Sequence, residues 1–283
     1  MSLTSNEVGH FYKYGFFFPI DTISEEEARE FVKDLHGYEI IISNSGSEFL
    51  KIHKDFPKIH LLTTWADKLV HEPRILDAVE SIVGPNILAW SSGIFTRLAG
   101  SNAQIAWHQD VAYFGLDNFE RAVRVWIALT PTNPENGTMR FAPGTHRHGI
   151  KEHAYAGRDA EAIAQGEQVL LPVDESQTVD VVLRAGQCSF HHLAIAHASG
   201  PSRASIDRIN FTIDYIAPDV RPLTSPDSAL LVRGHDICNY YAPEVRPRKD
   251  FGEAELESYF RAVRTRDRRI LDTMRKHTKV TTI

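Results

Sequence analysis

A change of hydrophobic period at Asn86 constrains this 283-residue chain more than any other feature. From there NILAWSSGIFTRL, RAVRVWIALTP, QTVDVVLRAGQCSFHH and DRINFTIDYIAP are apolar and partly alternating. They are rich in Val, Ile, Phe and Trp and punctuated by Gly, Pro and Asn. Strands with few helices between them, over about 130 residues, predict an antiparallel sandwich or barrel. Helices are expected on either side. Ser24 and Glu27 form a capping-box pattern that opens a helix through EEEAREFVKDLH, with its stop expected at Gly37. LLTTWADKLVHEPRILDAVESIVG reads as two helices, broken at Pro73 and closed by Gly84 and Pro85. EAELESYFRAVRTRDRRILDTMRK returns to helical spacing, with Leu256, Phe260, Val263, Ile270 and Met274 on one side. No repeat and no linker divides the sequence. The expectation is one domain over residues 1–283, with a β core at about 86–220 packed on helices from both ends.

A formal charge of -6 argues against nucleic acid as the main partner, because phosphate binding needs a concentrated basic face. The locally basic RAVRTRDRRILDTMRKH reads as a solvated helix face. MSLTSNEVGHFYKYGF lacks the basic-then-apolar order of a signal peptide, and no apolar run approaches the roughly 20 residues that span a bilayer. Cys188 and Cys238 make neither a disulfide framework nor a zinc-type pair. The expectation is a cytoplasmic protein with no membrane partner. The terminal helices do not demand a dimer, so the oligomeric state stays open.

Within AWHQDVAYFG, His108 and Asp110 stand two apart. On a strand they would share one face, with Gln109 turned away. Ferrous iron in oxygenases is held by two histidines and one carboxylate on one face, leaving positions open for a co-substrate and oxygen. A third ligand should come from a distant strand, and FHHLAIAHASGPSRASIDRINFTIDY offers His191, His192 and His197. Only His197 leads into Ala-Ser-Gly-Pro and then Arg208 on the following strand. An arginine in an otherwise apolar strand needs a partner, and a guanidinium clamps a carboxylate in two-point fashion. A salt bridge to Asp207 or Asp214 is the competing explanation. Ser199 and Asn210 flank the same hairpin and can add hydrogen bonds.

WHQD, VWIALTPTNPENGTMRFAPGTHR and HASGPSRASIDR, in that order, resemble the phytanoyl-CoA dioxygenase superfamily of Fe(II)- and 2-oxoglutarate-dependent oxygenases from about Asn86 to Asp219. EVGHFYKYGFFFPI resembles the opening of that family. The resemblance implies a mainly β fold with flanking helices around a double-stranded β-helix (jelly-roll, cupin-like) core. It implies His108, Asp110 and His197 as iron ligands, Arg208 as partner of the distal 2-oxoglutarate carboxylate with Ser199 assisting, and Trp126 beside the co-substrate. The implied reaction uses O2 to hydroxylate an unactivated C–H bond, releasing succinate and CO2. Halogenating relatives carry Gly or Ala in place of the carboxylate, so Asp110 implies hydroxylation. WHQD followed by YFGL, HHLAIAHASGP and DSALLVRGHD resemble a bacterial branch acting on small polar molecules: an amino acid, a quaternary amine or an aminophosphonate.

For the small-molecule substrate, Tyr113 and Phe114 are candidates to wall the pocket. Arg121, Arg124 and Arg140 are candidates for an anionic group, and Asp214 or Asp227 for a cationic one. Each reads more simply as surface or packing than as a specificity residue. His191 and His192 read as structural or supporting residues, and His146, His148 and His153 as exposed loop histidines. Gly137 and Gly144 fit turns that need positive φ or close approach. Two other functions stay open: a cupin-like metalloenzyme of another reaction type, indifferent to 2-oxoglutarate, or a non-catalytic binding protein on the same fold.

Overall fold

Two capping boxes start the chain. Thr4 and Glu7 open α1 (Ser5–Tyr14), and Ser24 and Glu27 repeat the reciprocal bonds at α2 (Glu25–Asn44), with β1 (Phe16–Asp21) between them. The computed structural model describes residues 2–52, 56–155 and 167–277. α2 runs on through Gly37, where a stop was expected. A mid-helix glycine costs about 1 kcal/mol, and burial of Tyr38 and Ile42 beyond it outweighs that. After α3 (Glu48–Ile52) and α4 (Thr64–Val70), Pro73 occupies the first turn of α5 (Pro73–Val83), where its missing N–H is not needed. It therefore separates the two helices by starting the second.

The β region then unfolds in order: β2 (Ile87–Arg97), β3 (Ile105–His108), a short α6 (Val111–Phe114), β4 (Ala122–Ala128), β5 (Met139–Phe141), β6 (His153–Tyr155) and β7 (Glu167–Val169). β8 (Val179–Asp180), β9 (Gln187–His191), β10 (His197–Ser199), β11 (Arg208–Ile216), β12 (Asp227–Arg233), β13 (Tyr241–Pro243) and α7 (Glu253–His277) follow. A seven-stranded sheet runs β1-β9-β4-β11-β2-β12-β13, and a four-stranded sheet runs β3-β10-β5-β8. β6 and β7 pair separately. Pairing is antiparallel except between β12 and β13. The fold is mainly β with flanking helices, and β1, β12 and β13 carry the large sheet beyond residues 86–220 on both sides.

β11 shows how the sequence divides between core and site. Ile209, Phe211, Ile213 and Tyr215 face the helices, where Phe211 meets Trp65 at 5.8 Å and the Tyr215 hydroxyl donates to the Val70 carbonyl at 2.9 Å. α5 adds Ile75, Val79, Ile82 and Val83 to the same core. Each such burial contributes about 1.5–3 kcal/mol. The alternate residues Arg208, Asn210, Thr212 and Asp214 point the other way and are also buried. A polar alternation that usually marks a water-facing strand here lines the space between the two sheets.

α7 buries Tyr259, Val263 and Ile270, while Arg261, Arg264 and Arg268 stay exposed as a solvated face. Cys188 and Cys238 are free thiols. Among the described residues no helix is long and apolar enough to cross a membrane.

The loop histidines need correction. His148 is exposed, but His146 is buried with Nε2 against the Tyr12 carbonyl at 3.0 Å, and half-buried His153 accepts the Gln109 N–H. The His146 ring lies tilted against that of His192, 5.0 Å between centroids. Burial, and then the charge of His146, pushes His192 down to about 3. Its Nδ1 accepts the Ala194 N–H at 3.0 Å, a bond that protonation destroys. Below its ordinary value of 6.5 the unfolded chain takes up a proton that folded His192 refuses. Stability is therefore full above about pH 6.5 and falls as pH drops towards 3. Between about pH 6.5 and 5 this group alone removes roughly 2 kcal/mol. Urea unfolding of wild type and His192→Asn across that window will show the variant with the shallower pH dependence, its amide oxygen replacing the Nδ1 acceptor.

Candidate active site

The centre of the pocket is built by one cross-strand pair. His197 on β10 stands opposite His108 on β3, with ring centroids 4.1 Å apart. The His108 Nδ1 bonds the Ala106 carbonyl at 2.9 Å and the His197 Nδ1 bonds the Ile195 carbonyl at 3.1 Å. A carbonyl only accepts, so both protons sit on Nδ1 and both Nε2 lone pairs are bare. Those Nε2 atoms lie 3.8 and 3.7 Å from the two oxygens of Asp110. All three ligand atoms fall within 4.8 Å of one another, the spacing that one divalent ion spans.

Asp110 reaches this point by a route other than strand alternation. β3 ends at His108, and Asp110 adopts helical angles (φ -58°, ψ -35°) as the cap of α6. Gln109 does not face solvent. It is fully buried, donates to the Ala194 carbonyl at 2.7 Å and to the Gly149 carbonyl at 3.1 Å, and accepts the Lys151 N–H. The glutamine anchors the turn that brings the carboxylate beside the two imidazoles.

The protonation states suit a metal. Burial, and then the neighbouring His197, push His108 down to about 4, and burial likewise lowers His197. Burial alone would raise Asp110, but the Arg124 guanidinium and the two imidazoles hold it well below the usual carboxylate range. Two neutral imidazoles and one carboxylate thus stand ready near neutral pH with no proton to displace. The residues present fit a divalent iron.

At one end of the pocket lies Arg208, 4% exposed, its guanidinium carbon 5.3 Å from the Trp126 ring. It donates to the Asn136 carbonyl at 3.2 Å and to Asn210 Oδ1, and has no carboxylate partner among the described residues. Asp207 instead accepts the Ala99 N–H, and Asp214 pairs with Arg124. Burial, and then the adjacent Arg97, push Arg208 down to about 9, so it remains a cation near neutral pH. Arg97 was not anticipated. It is Arg208's register partner on β2 and donates to Ser199 Oγ at 2.8 Å and to the Ala103 carbonyl at 2.7 Å. Arg97 in NILAWSSGIFTRL is, like Arg208, an arginine in an apolar strand, and so carried the same signal. Gly137, next to the Asn136 carbonyl that Arg208 bonds, permits a close backbone approach: at φ +66° any Cβ would meet the Gly200 carbonyl at 2.5 Å.

At the other end Arg124 joins two carboxylates. Its Nη1 donates to Asp110 Oδ2 at 2.7 Å, while Nε and Nη2 clamp Asp214 at 2.6 and 2.9 Å. Both Asp214 oxygens are engaged in that clamp, which leaves it poorly placed for a cationic substrate. Phe114 lies behind, 5.3 Å from the Arg124 guanidinium and edge-on to Trp90 at 5.0 Å. Three other residues lie away from the pocket lining: Asp227 binds Trp90 Nε1 and Arg269, Arg121 pairs with Asp219, and Arg140 pairs with Glu175. The Tyr113 side chain lies outside the described residues.

Two facing sheets carrying a two-histidine, one-carboxylate centre between them define the mononuclear non-heme iron oxygenase class. The chain belongs to the phytanoyl-CoA dioxygenase family, whose sequence profile matches residues 11–210. A solved non-heme monooxygenase, ThoJ in its apo form, is 45% identical with a TM-score of 0.88, covering 95% of this chain and 99% of that one. A probable alpha-ketoglutarate-dependent hypophosphite dioxygenase of Stutzerimonas stutzeri is 28% identical over 216 residues, 71% of this chain and 74% of its own. CytC3 with Fe(II) and alpha-ketoglutarate shares the fold at 20% identity and a TM-score of 0.66, covering 89% of this chain and 97% of that one.

Proposed function

We propose that this protein is an Fe(II)- and 2-oxoglutarate-dependent hydroxylase of a small polar metabolite, with His108, Asp110 and His197 holding the iron. The observation that carries the reading is Arg208, a buried cation with no carboxylate partner among the described residues, in the same pocket as the His108, Asp110 and His197 ligand atoms. A guanidinium has five N–H groups, and Arg208 uses two on the protein, leaving three for a distal carboxylate. Ser199 accepts from Arg97, which leaves its own hydroxyl proton free to be donated to an anion in the pocket. Trp126 restrains the guanidinium through its ring face, and Asn210 fixes its tilt. Phe95, Ile105 and Met139 exclude water from this end. When bound, iron and 2-oxoglutarate would supply, with O2 as the oxidant, the chemistry that hydroxylates an unactivated C–H bond, one oxygen atom going to the substrate and the other to succinate as CO2 is released. Retention of Asp110 supports hydroxylation over halogenation, and the relative named for hypophosphite supports a small polar substrate.

Anaerobic titration of the apo-protein with Fe(II) and then 2-oxoglutarate tests the reading. A weak visible charge-transfer band that grows with 2-oxoglutarate is the expected result. Fe(II) binding with no response to 2-oxoglutarate would overturn it.

A further inference from the structure

His191 has no place in the site described so far. It is fully buried on β9, lines the pocket, and lies 5.5 Å from the His197 ring and 5.0 Å from Phe141. Neither of its ring nitrogens has a hydrogen-bond partner among the described residues. Buried polar atoms are rarely left unpaired, and an imidazole aimed into a pocket with both nitrogens free points to something that binds there. In sheet register His191 stands directly opposite Arg124, which in turn stands opposite Asp214. Arg124 spends three of its five N–H groups on Asp110 and Asp214, so two remain. The pocket therefore carries a second set of donors, remote from Arg208 and next to the ligand triad.

The charge balance says what this second set takes. The charged groups that bound the pocket or bond to its lining are three guanidiniums, the buried Arg97 and Arg208 and the largely covered Arg124, against two buried carboxylates, Asp110 and Asp214. Fe(II) and the 2-oxoglutarate dianion cancel each other. One positive charge is left in a poorly solvated space, and such a charge is costly unless paired.

Resting on the function proposed above, we infer that the substrate carries an anionic oxygen group, a carboxylate or a phosphorus oxyanion, bound between His191 and Arg124. His191 gives one N–H to that group and Arg124 gives its unspent N–H bonds. The substrate is thereby fixed on the side of the metal away from Arg208. A quaternary ammonium or other cationic head finds no acceptor there, because both Asp214 oxygens are already clamped.

The test uses the anaerobic protein loaded with Fe(II) and saturating 2-oxoglutarate. Acetate, methylphosphonate and hypophosphite are added in turn, with choline as the cationic probe, and the charge-transfer band is followed. At least one anion should shift the band saturably and choline should not. His191→Phe should weaken that response at least about tenfold, the usual cost of losing a hydrogen bond to a charged group, and His191→Gln should keep part of it. Formation of the band in each variant reports folding. If no anion shifts the band, if choline alone does, or if His191→Phe responds as the wild type does, the inference is overturned while the proposed function stands. If no band forms in the wild type, the proposed function itself fails and takes the inference with it.

Discussion

Replacing Arg208 with Ala is expected to raise the 2-oxoglutarate concentration needed for the charge-transfer band by about a hundredfold or more. Truncating one partner of a desolvated charge pair costs roughly 2–5 kcal/mol, and each 1.4 kcal/mol is tenfold in affinity. The apo-protein should meanwhile melt at an unchanged or higher temperature. Wild-type Arg208 is a buried cation without a carboxylate partner among the described residues, repelled by Arg97, and its removal relieves both its own desolvation and that repulsion. Anaerobic titration and a melting curve on the same preparation check the pair of outcomes. An arginine serving only the fold would give the reverse, a lower melting temperature and an unaltered 2-oxoglutarate requirement. Arg208→Lys keeps the charge but loses the planar fork, and should fall between the two.

The second large effect belongs to Arg124. Arg124→Leu should weaken Fe(II) binding about 10–100-fold, the usual consequence of removing a group that orients a ligand. It should also destabilise the apo-protein by about 3–5 kcal/mol, because Asp214 is left buried and unpaired. Coupling Arg124→Leu with Asp214→Leu separates the two roles. The double variant should recover much of the stability, since an apolar pair replaces an ionic one, but not the metal affinity, since Asp110 still lacks its tether. Metal titration by calorimetry and urea unfolding measure the two independently. Wild-type Fe(II) affinity in Arg124→Leu would show that Asp110 is held by the α6 turn and Gln109 alone.

The β region was legible because its period differs from that of the flanking helices, and periodicity follows directly from backbone geometry. Capping boxes and Pro73 were legible for the same local reason. Gly37 misled: helix propensity is worth about 1 kcal/mol, and a buried face beyond the glycine exceeds it. His108, Asp110 and His197 stood out by residue type and order, although Asp110 lies beyond the end of the strand that its spacing predicts. Asp110 is delivered by a helical turn that the buried amide of Gln109 secures.

Arg124 and His191 were legible as residue types and Arg97 was not, but the partners of all three were hidden for a single reason. Arg97, Arg124 and His191 matter through their register partners, Arg208, Asp214 and Arg124, which lie from about 70 to 110 positions away along the chain. The sequence by itself determined which residue types recur at strand and helix spacing, and with them the class of fold and the candidate ligands. Only the tertiary structure decided which cations keep a carboxylate. Asp214 goes to Arg124 and Asp207 to the Ala99 N–H, which leaves Arg208 with no carboxylate partner among the described residues. That allocation depends on sheet register, which long-range packing of the whole chain fixes and no local stretch contains.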